Sequence, residues 1–444
     1  MTVEADRAGG WLQSTFLAAR LLRRGPMSSA EVTVDTLIVG AGLIGSSVAM
    51  HLADLSGSGQ DIRVIDFDLE GSLSSSELNA GGVRATWNQP INIEMARRTI
   101  DYFANHAEQV GYRACGYLWL HGAERLSAAL EARERQVKMG WPVEAWDISE
   151  LRRRVPLIDK TDDLAGAIFS PRDGLVNSNR VKNHFRENAR ARGVVFDDRT
   201  LLRRAEFQQG ICHLEMEKYP AELSDEDRRA VLGPAGSAPV ISQPVRYRAK
   251  RVVNCAGAWA ARIAEILGYR SPSFAVRRQL SLFDCRDVDL TQYGMIVDSS
   301  GVYFHPEATY GMAGFANNDE PPGFRYDYDG DAFFMEVIWP ALHERATAFE
   351  KLRHLTGWAG LYEVSPDESA ILGPVVAKEV SERGGADRIF EAHSFSGHGV
   401  MHSFSAGLAL AERMIHGKYL TIDATQLGGD RFDAGRLIQE TLVI

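Results

Sequence analysis

The chain has only four cysteines in 444 residues, and no two of them, Cys115, Cys212, Cys255 or Cys285, are spaced C-x-x-C. That spacing suggests neither a zinc site nor a disulfide framework, and it favours a reducing compartment. A basic excess is also absent. The formal net charge is −10, which argues against nucleic acid or an anionic membrane as a main partner. No internal repeat is visible. No stretch demands a membrane span: Thr36 to Ala53 is uncharged and nearly long enough, but its glycines, its serines and His51 read better as strand, turn and helix. What remains is ordinary for a globular protein. Charged residues are 24% and the apolar and aromatic set is 45%, in a chain long enough for more than one domain.

The most informative stretch is Val34 to Gly45, Val-Asp-Thr-Leu-Ile-Val-Gly-Ala-Gly-Leu-Ile-Gly. An apolar run ends at Gly40, and Gly42 and Gly45 complete a G-x-G-x-x-G. Val48, Leu52 and Leu55 follow at helical spacing, then Ile62 to Ile65 reads as a second strand ending at Asp66. Strand, glycine turn, helix, strand and acid in this order predict a dinucleotide-binding unit. Gly40 permits the tight turn, Gly42 lets backbone approach a pyrophosphate, and Gly45 lets helix and strand pack closely. Asp66 lies about 20 residues past the last glycine, where an acid binds a ribose hydroxyl. The motif alone does not separate FAD from NAD.

Upstream, the spacing of Trp11, Leu12, Phe16, Leu17, Leu21 and Leu22 would suit one face of a short helix in a tail of residues 1–33. Glu4 and Asp6 are unusual in a targeting segment, so a loosely attached tail or a start at Met27 is the plainer reading. Downstream, Gly71 to Ser76 is a small-residue loop containing Ser75 and Ser76, and Asn79-Ala80-Gly81-Gly82-Val83-Arg84 leads into a helix over 91–107. Tyr117 to Leu120 is a strand, Asp173-Gly174 a turn, and Asn177 or Ser178 caps a helix to about Arg192. Strands are predicted near 194–196 and within 205–217. Residues 218–245, rich in proline and glycine, read as a surface insertion between paired strands. Arg251 to Gly257 is a strand running into a turn, followed by a helix from Ala258. Alternating patterns over 276–315 predict an antiparallel sheet, residues 331–355 a helix, and Phe395-Ser396-Gly397-His398-Gly399 precedes a helix from about Ser403 to His416.

In order and spacing over residues 34 to about 420, these pieces resemble the FAD-dependent D-amino-acid-oxidase superfamily. The resemblance is closest to the group of sarcosine oxidase, dimethylglycine dehydrogenase and the proline dehydrogenase β-subunit. It rests on Gly40 to Gly45, Asn79 to Arg84, Asp173-Gly174, Val252 to Trp259, Arg278-Gln279, Tyr362 to Gly373 and Phe395 to Gly399. It implies an α/β fold: a Rossmann-like FAD-binding domain built from discontinuous segments (34–115, 160–270 and 356–444) and a second α+β substrate domain on a mixed or antiparallel sheet (116–159 and 271–355). FAD would be held by Gly40, Gly42, Leu43, Ile44, Gly45 and Asp66, by Ser75, Ser76, Ala80, Gly81, Gly82 and Val83, and by Gly257, Trp259, Gly397, His398, Gly399 and Val400. The helix end at Gly397 to Gly399 would face the flavin edge that turns anionic on reduction.

The resemblance further implies hydride transfer from the carbon next to an amine nitrogen to flavin N5, giving an imine that hydrolyses, in an amino acid or N-alkyl amino acid. Arg84 would lie beside the flavin, and Tyr362 and Tyr303 would line the pocket. The simple amine-acid oxidases hold a carboxylate with two basic residues at positions that are Trp87 and Met401 here, so a larger or less charged amine is expected. Their oxygen-activating lysine also has no counterpart, since no lysine lies between Lys250 and Lys351; Arg286 on the matching strand is a stand-in, flanked by Asp284 and Asp287, and Arg84 or the helix end at Gly399 are the alternatives. That favours a dehydrogenase passing electrons to a quinone or an electron-transfer protein. The rival classes are a flavoprotein that assists assembly of a respiratory complex without amine turnover, and an NAD-linked dehydrogenase. His393, His398 and His402 lack a completing ligand shell, so no metal is expected. The localisation expected is cytoplasmic, or the mitochondrial matrix if the first residues are a targeting segment.

The positions where relatives attach FAD covalently are Gly360, in place of a cysteine, and Asn79, in place of a histidine. Neither side chain forms that bond. Acid denaturation should therefore release all the yellow colour, and flavin left on the precipitated chain would refute non-covalent binding.

Overall fold

The computed structural model describes residues 31–233 and 240–443. The expected helix at Trp11 to Leu22 and the start at Met27 lie outside them, as does part of the 218–245 insertion. The sheet that organises the chain begins earlier than expected. Glu31–Val39 is one strand, because Glu31 to Thr33 pair with Arg246 to Arg248 of the strand Gln243–Asn254. Parallel to the same strand on its other side lies Ile62–Ile65, and beyond it Val195–Asp197. Ile389–His393 pairs parallel with Gln243–Asn254, and Ile371–Pro374 closes that edge antiparallel. Buried on both faces, the central strand reads as a near-continuous apolar run, Leu37-Ile38-Val39, as parallel sheets do.

The glycine motif does the packing its spacing predicts. Gly40 has φ 103°, and a Cβ there would strike the Cys255 carbonyl oxygen. A Cβ on Gly45 would strike the Gly40 carbonyl and stand 3.3 Å from the Cys255 Cβ. The helix Leu43–Ser56 is thereby held against the sheet, and it packs in turn on the helices Ser178–Ala191 and Gly399–His416. The last of these starts at Gly399, four residues before the position expected. His398 already precedes the helix as its cap, and Gly417, with φ 72°, ends it.

The second sheet runs in the order Arg353–Val364, Phe274–Asp284, Tyr310–Phe315, Tyr303–Glu307, Met295–Val297, Tyr117–His121, Gly166–Ser170, Glu144–Trp146. All its pairs are antiparallel except Met295–Val297 with Tyr117–His121. Two strands carry it past the expected boundaries at 159 and 355. Gly166–Ser170 inserts between two of its strands, and Arg353–Val364 pairs with Phe274–Asp284 along nearly its whole length. The helix expected over 331–355 therefore stops early: it breaks into short turns from Gly330 to Lys351, and residues 353–355 join that strand. The 218–245 insertion is not featureless either. Ser224 caps a helix Asp225–Leu232, whose Val231 packs with Phe67 and Tyr219. Among the described residues no helix is long and apolar enough to cross a membrane.

The tightest helix contact is Gly407 against Ser47, where a Cβ would lie 2.7 Å from the Ser47 backbone carbon. Gly407→Ala should cost about 1–3 kcal/mol through overpacking, read as a lower denaturation midpoint, despite the better helix propensity of alanine. An unchanged or raised midpoint would show that the two helices can separate freely.

Candidate cofactor and substrate site

A cleft in two parts runs from the carboxyl end of the parallel sheet to the face of the second sheet. The first part is lined by Gly40, Gly42, Asp66, Ser75, Ser76, Gly257 and Trp259. The second part is lined by Ala80, Gly81, Gly82, Arg84 and Trp87 from one loop. Tyr303 and Tyr362 join it from the second sheet, and Gly397, His398, Gly399, Val400 and Met401 from the start of the long helix. Leu43 and Ile44 line both parts. Two expected contact residues do not line it. Gly45 is consumed by packing against Gly40, and Val83 is fully buried in a two-residue strand paired with Gly174.

The first part has the shape of a dinucleotide cradle. Gly42 leaves room that a Cβ would fill, 2.9 Å from the Ser76 Oγ, and the Leu43 N–H donates to that Oγ at 3.0 Å. Asp66 accepts from the Ala41 N–H at 2.6 Å and from the Asp68 N–H at 2.9 Å. Burial raises its pKa, and those two N–H donors oppose the rise. The insertion helix forms part of this wall. Leu232 lines the cleft, and its carbonyl oxygen accepts from the Trp259 Nε1 and the Arg262 Nη1, each at 2.9 Å. Proline and glycine in the flanking sequence had masked that helix.

At the other end, the helix Gly399–His416 is presented by a strained turn. Ser394 and Ser396 have φ 59° and 49°, a region few side chains adopt, followed by Gly397 at 89°. The turn aims the free N–H groups of the helix start into the cleft. The His398 ring is buried against Trp87, with ring centroids 4.0 Å apart. Burial, with His402 and Arg84 nearby, holds its imidazole well below its ordinary pKa. The ring is neutral, so the positive potential here comes from the helix end and from Arg84. His393 lines the first part of the cleft and is bonded to Glu391 at 3.1 Å and to the Ser394 Oγ at 2.9 Å.

Arg84 is fully buried, and burial lowers its pKa to about 10, which leaves it charged at neutral pH. Its guanidinium lies 3.4 Å from the Trp87 ring centroid and donates to the Thr86 carbonyl at 2.7 Å and to the Leu442 carbonyl. The loop that carries it is held by Asp173, which the sequence had suggested as a turn residue and as part of the family resemblance, without this partner. Asp173 is buried and accepts from the Ala85 N–H at 2.9 Å, the Trp141 Nε1 at 3.0 Å and the Thr86 hydroxyl at 3.2 Å.

Sequence reasoning missed Tyr117, Met295, Glu363 and Val443, which also line the second part. Val443 belongs to a terminal strap. Buried Glu440 accepts from the Asn88 and Gln89 N–H groups, each at 3.0 Å, and Ile438 donates to Asp367, itself paired with Arg431 at 2.8 Å. Short polar segments of this kind carry no periodic signal. Arg286 is far from the role considered for it: its side chain is 77% exposed and paired with Asp284. The cation that the second sheet does bring near is Arg278, 5.4 Å from the Tyr362 ring centroid.

A family model described as FAD dependent oxidoreductase, DAO, matches residues 35–413. The chain belongs to that family. Its cofactor is FAD, and the cleft fits it: a glycine-walled, acid-ended half for the nucleotide and a half with a helix N-terminus for the flavin. FAD-dependent oxidoreductase domain-containing protein 1 of Xenopus laevis is 26% identical over 436 residues, covering 90% of this chain and 82% of that protein. Mitochondrial dimethylglycine dehydrogenase of Homo sapiens is 24% identical over 455 residues, which is 94% of this chain but 47% of that protein. In structure, the chain is similar to L-proline dehydrogenase from P. horikoshii, with TM-score 0.76, 20% identity, and coverage of 92% of this chain and 100% of that one.

Asp66→Ala should weaken FAD binding by a few kcal/mol at most, the worth of one charge-assisted contact, and yield largely apoprotein. Full flavin occupancy after purification would make Asp66 a loop-bracing residue for Ala41 and Asp68 only.

Proposed function

We propose that this oxidoreductase oxidises an amine C–N bond in an amino acid or N-alkyl amino acid larger or less charged than sarcosine or glycine. Bound FAD supplies the two-electron acceptor for such a reaction. The observation that carries the reading is the composition of the flavin end. Tyr117, Tyr303, Tyr362, Trp87, Met295 and Met401 make an aromatic and thioether wall beside one cation, Arg84. An amine bound in its neutral form fits such a wall, and no acid–base pair is required to deprotonate it.

Arg84 supports the substrate half of the proposal. Two of its five N–H donors are held by backbone carbonyls and its face by an indole. The remaining donors are the only cationic contact this wall offers a carboxylate, since Trp87 and Met401 are apolar, and a small amino acid whose buried charge is paired this incompletely binds at a cost of several kcal/mol. Tyr303 is buried and Tyr362 half-buried, and desolvation raises both phenols, so each acts as a neutral hydrogen-bonding wall. The helix start at Gly399 stabilises negative charge on the cofactor edge facing it.

The acceptor we favour is a quinone or protein carrier. Oxygen activation is helped by a fixed cation that stabilises developing superoxide, and the second sheet places no lysine there. Two measurements test the reading. Anaerobic mixing with a panel of amines should bleach the flavin band, fastest with bulky secondary amines; no bleaching by any amine would favour a flavoprotein without amine turnover. In stopped flow, the reduced protein should reoxidise with oxygen more slowly than it turns over with an artificial quinone. Reoxidation as fast as turnover would make it an oxidase.

A further inference from the structure

The two parts of the cleft share Leu43, Ile44, Ser75, Ser76 and Glu363. Leu43 and Ile44 open the helix that follows the glycine turn, the place where backbone N–H groups and the helix dipole receive a pyrophosphate. Glu363 faces that same place. It is the one acidic residue of the five, and no lysine or arginine is among them. Among the described residues no ion pair is made to it. Its neighbours are the Ser75 hydroxyl, 3.3 Å from Oε2, and the backbone of the Phe395 turn.

The titratable groups around it are few. His393 faces it from the strand Ile389–His393, with Glu391 behind at 3.1 Å from that imidazole. Tyr362 precedes it on its own strand, the serine loop contributes only hydroxyls, and the helix end contributes apolar side chains and N–H groups. Asp66 sits in the other part of the cleft, tied to Ala41 and Asp68. Arg84 in the same part of the cleft and Arg278 beside Tyr362 make no ion pair with Glu363, so an ionised Glu363 would be a second anion beside a diphosphate, out of water and without a cation in contact with it.

We propose that Glu363 is held as a neutral carboxylic acid when FAD occupies the cleft, so that binding the cofactor takes up one proton. Burial in the unliganded cleft already favours the protonated form, and a diphosphate moves it further the same way. The sign of the linkage follows. Occupied cleft holds the proton to higher pH than empty cleft does, so FAD affinity is constant at low pH. It then falls tenfold per pH unit between the two pKa values. The inference rests on FAD as cofactor and not on the amine reading, so failure of either leaves the other standing.

The test uses the FAD-loaded protein and Glu363→Gln, which keeps the shape and removes the charge. Infrared spectra of the loaded protein should contain the carbonyl stretch of a protonated carboxylic acid, shifted in heavy water and missing from the variant. FAD retention on dilution, followed by released flavin fluorescence at rising pH from the ordinary carboxyl range upward, should fall with pH in the parent and stay flat in Glu363→Gln. Three results would overturn the proposal. One is an absent acid band or a flat profile in the parent, which needs no variant to read. Another is a variant that keeps the parent slope, which would assign the proton to another group such as His393. The third is a variant that loses FAD at every pH, which would make Glu363 an ionised acceptor for a cofactor hydroxyl.

Discussion

The structure depends on one constraint, the absence of side-chain volume where the first strand turns into the first helix. Gly40 lies against the Cys255 carbonyl, and Gly45 lies against Gly40. Three backbone segments meet there at a distance no Cβ allows. Because they do, the helix Leu43–Ser56 starts inside the cleft rather than beside it, and the long helix Gly399–His416 can close on its flank through Gly407. The positive ends of two helices thus reach one cavity from different directions. A ligand with negative charge at two separated points, a diphosphate and a reduced ring, is what such an arrangement accommodates.

Much of this was legible in the sequence because the signals are local. Glycine spacing, apolar runs of strand length and an acid at the next strand end all act within one supersecondary unit, and that unit appears where expected, with Ile62–Ile65 closing before Asp66. The cap at Asn177 was equally local: its side chain accepts from the Arg180 N–H at 3.0 Å. The family resemblance then supplied the long-range order that periodicity does not carry, namely that Tyr303, Tyr362 and Gly399 meet Arg84.

What escaped notice has a common physical origin. Glu363, Tyr117 and Asp173 are polar groups whose meaning lies in what faces them across the chain, and a strand pattern says only that they alternate. The insertion helix Asp225–Leu232 was hidden because proline and glycine flank it, although Ser224 bonded to the Asp227 N–H at 3.1 Å is an ordinary cap. The strand Arg353–Val364 looked helical at its start because its first residues follow a helical run without a breaker. Pairing with Phe274–Asp284, a tertiary contact, decides it.

The order of strands in the first sheet has a consequence for how the molecule comes into being. Three of its pairings, 31–39 with 243–254, 62–65 with 195–197 and 243–254 with 389–393, each span more than 130 residues of chain. Such topologies close slowly, because loop entropy is spent before the contacts that reward it exist. On a ribosome, the first strand and its glycine turn find Ile62–Ile65 early but wait for their second partner, Gln243–Asn254, until more than half of this sequence has been made. For that interval one side of Leu37, Ile38 and Val39 has no strand beside it. The nascent chain is therefore a natural client for holdase chaperones, and the dinucleotide, which bridges the early and late segments, is suited to act as the template that ends the wait.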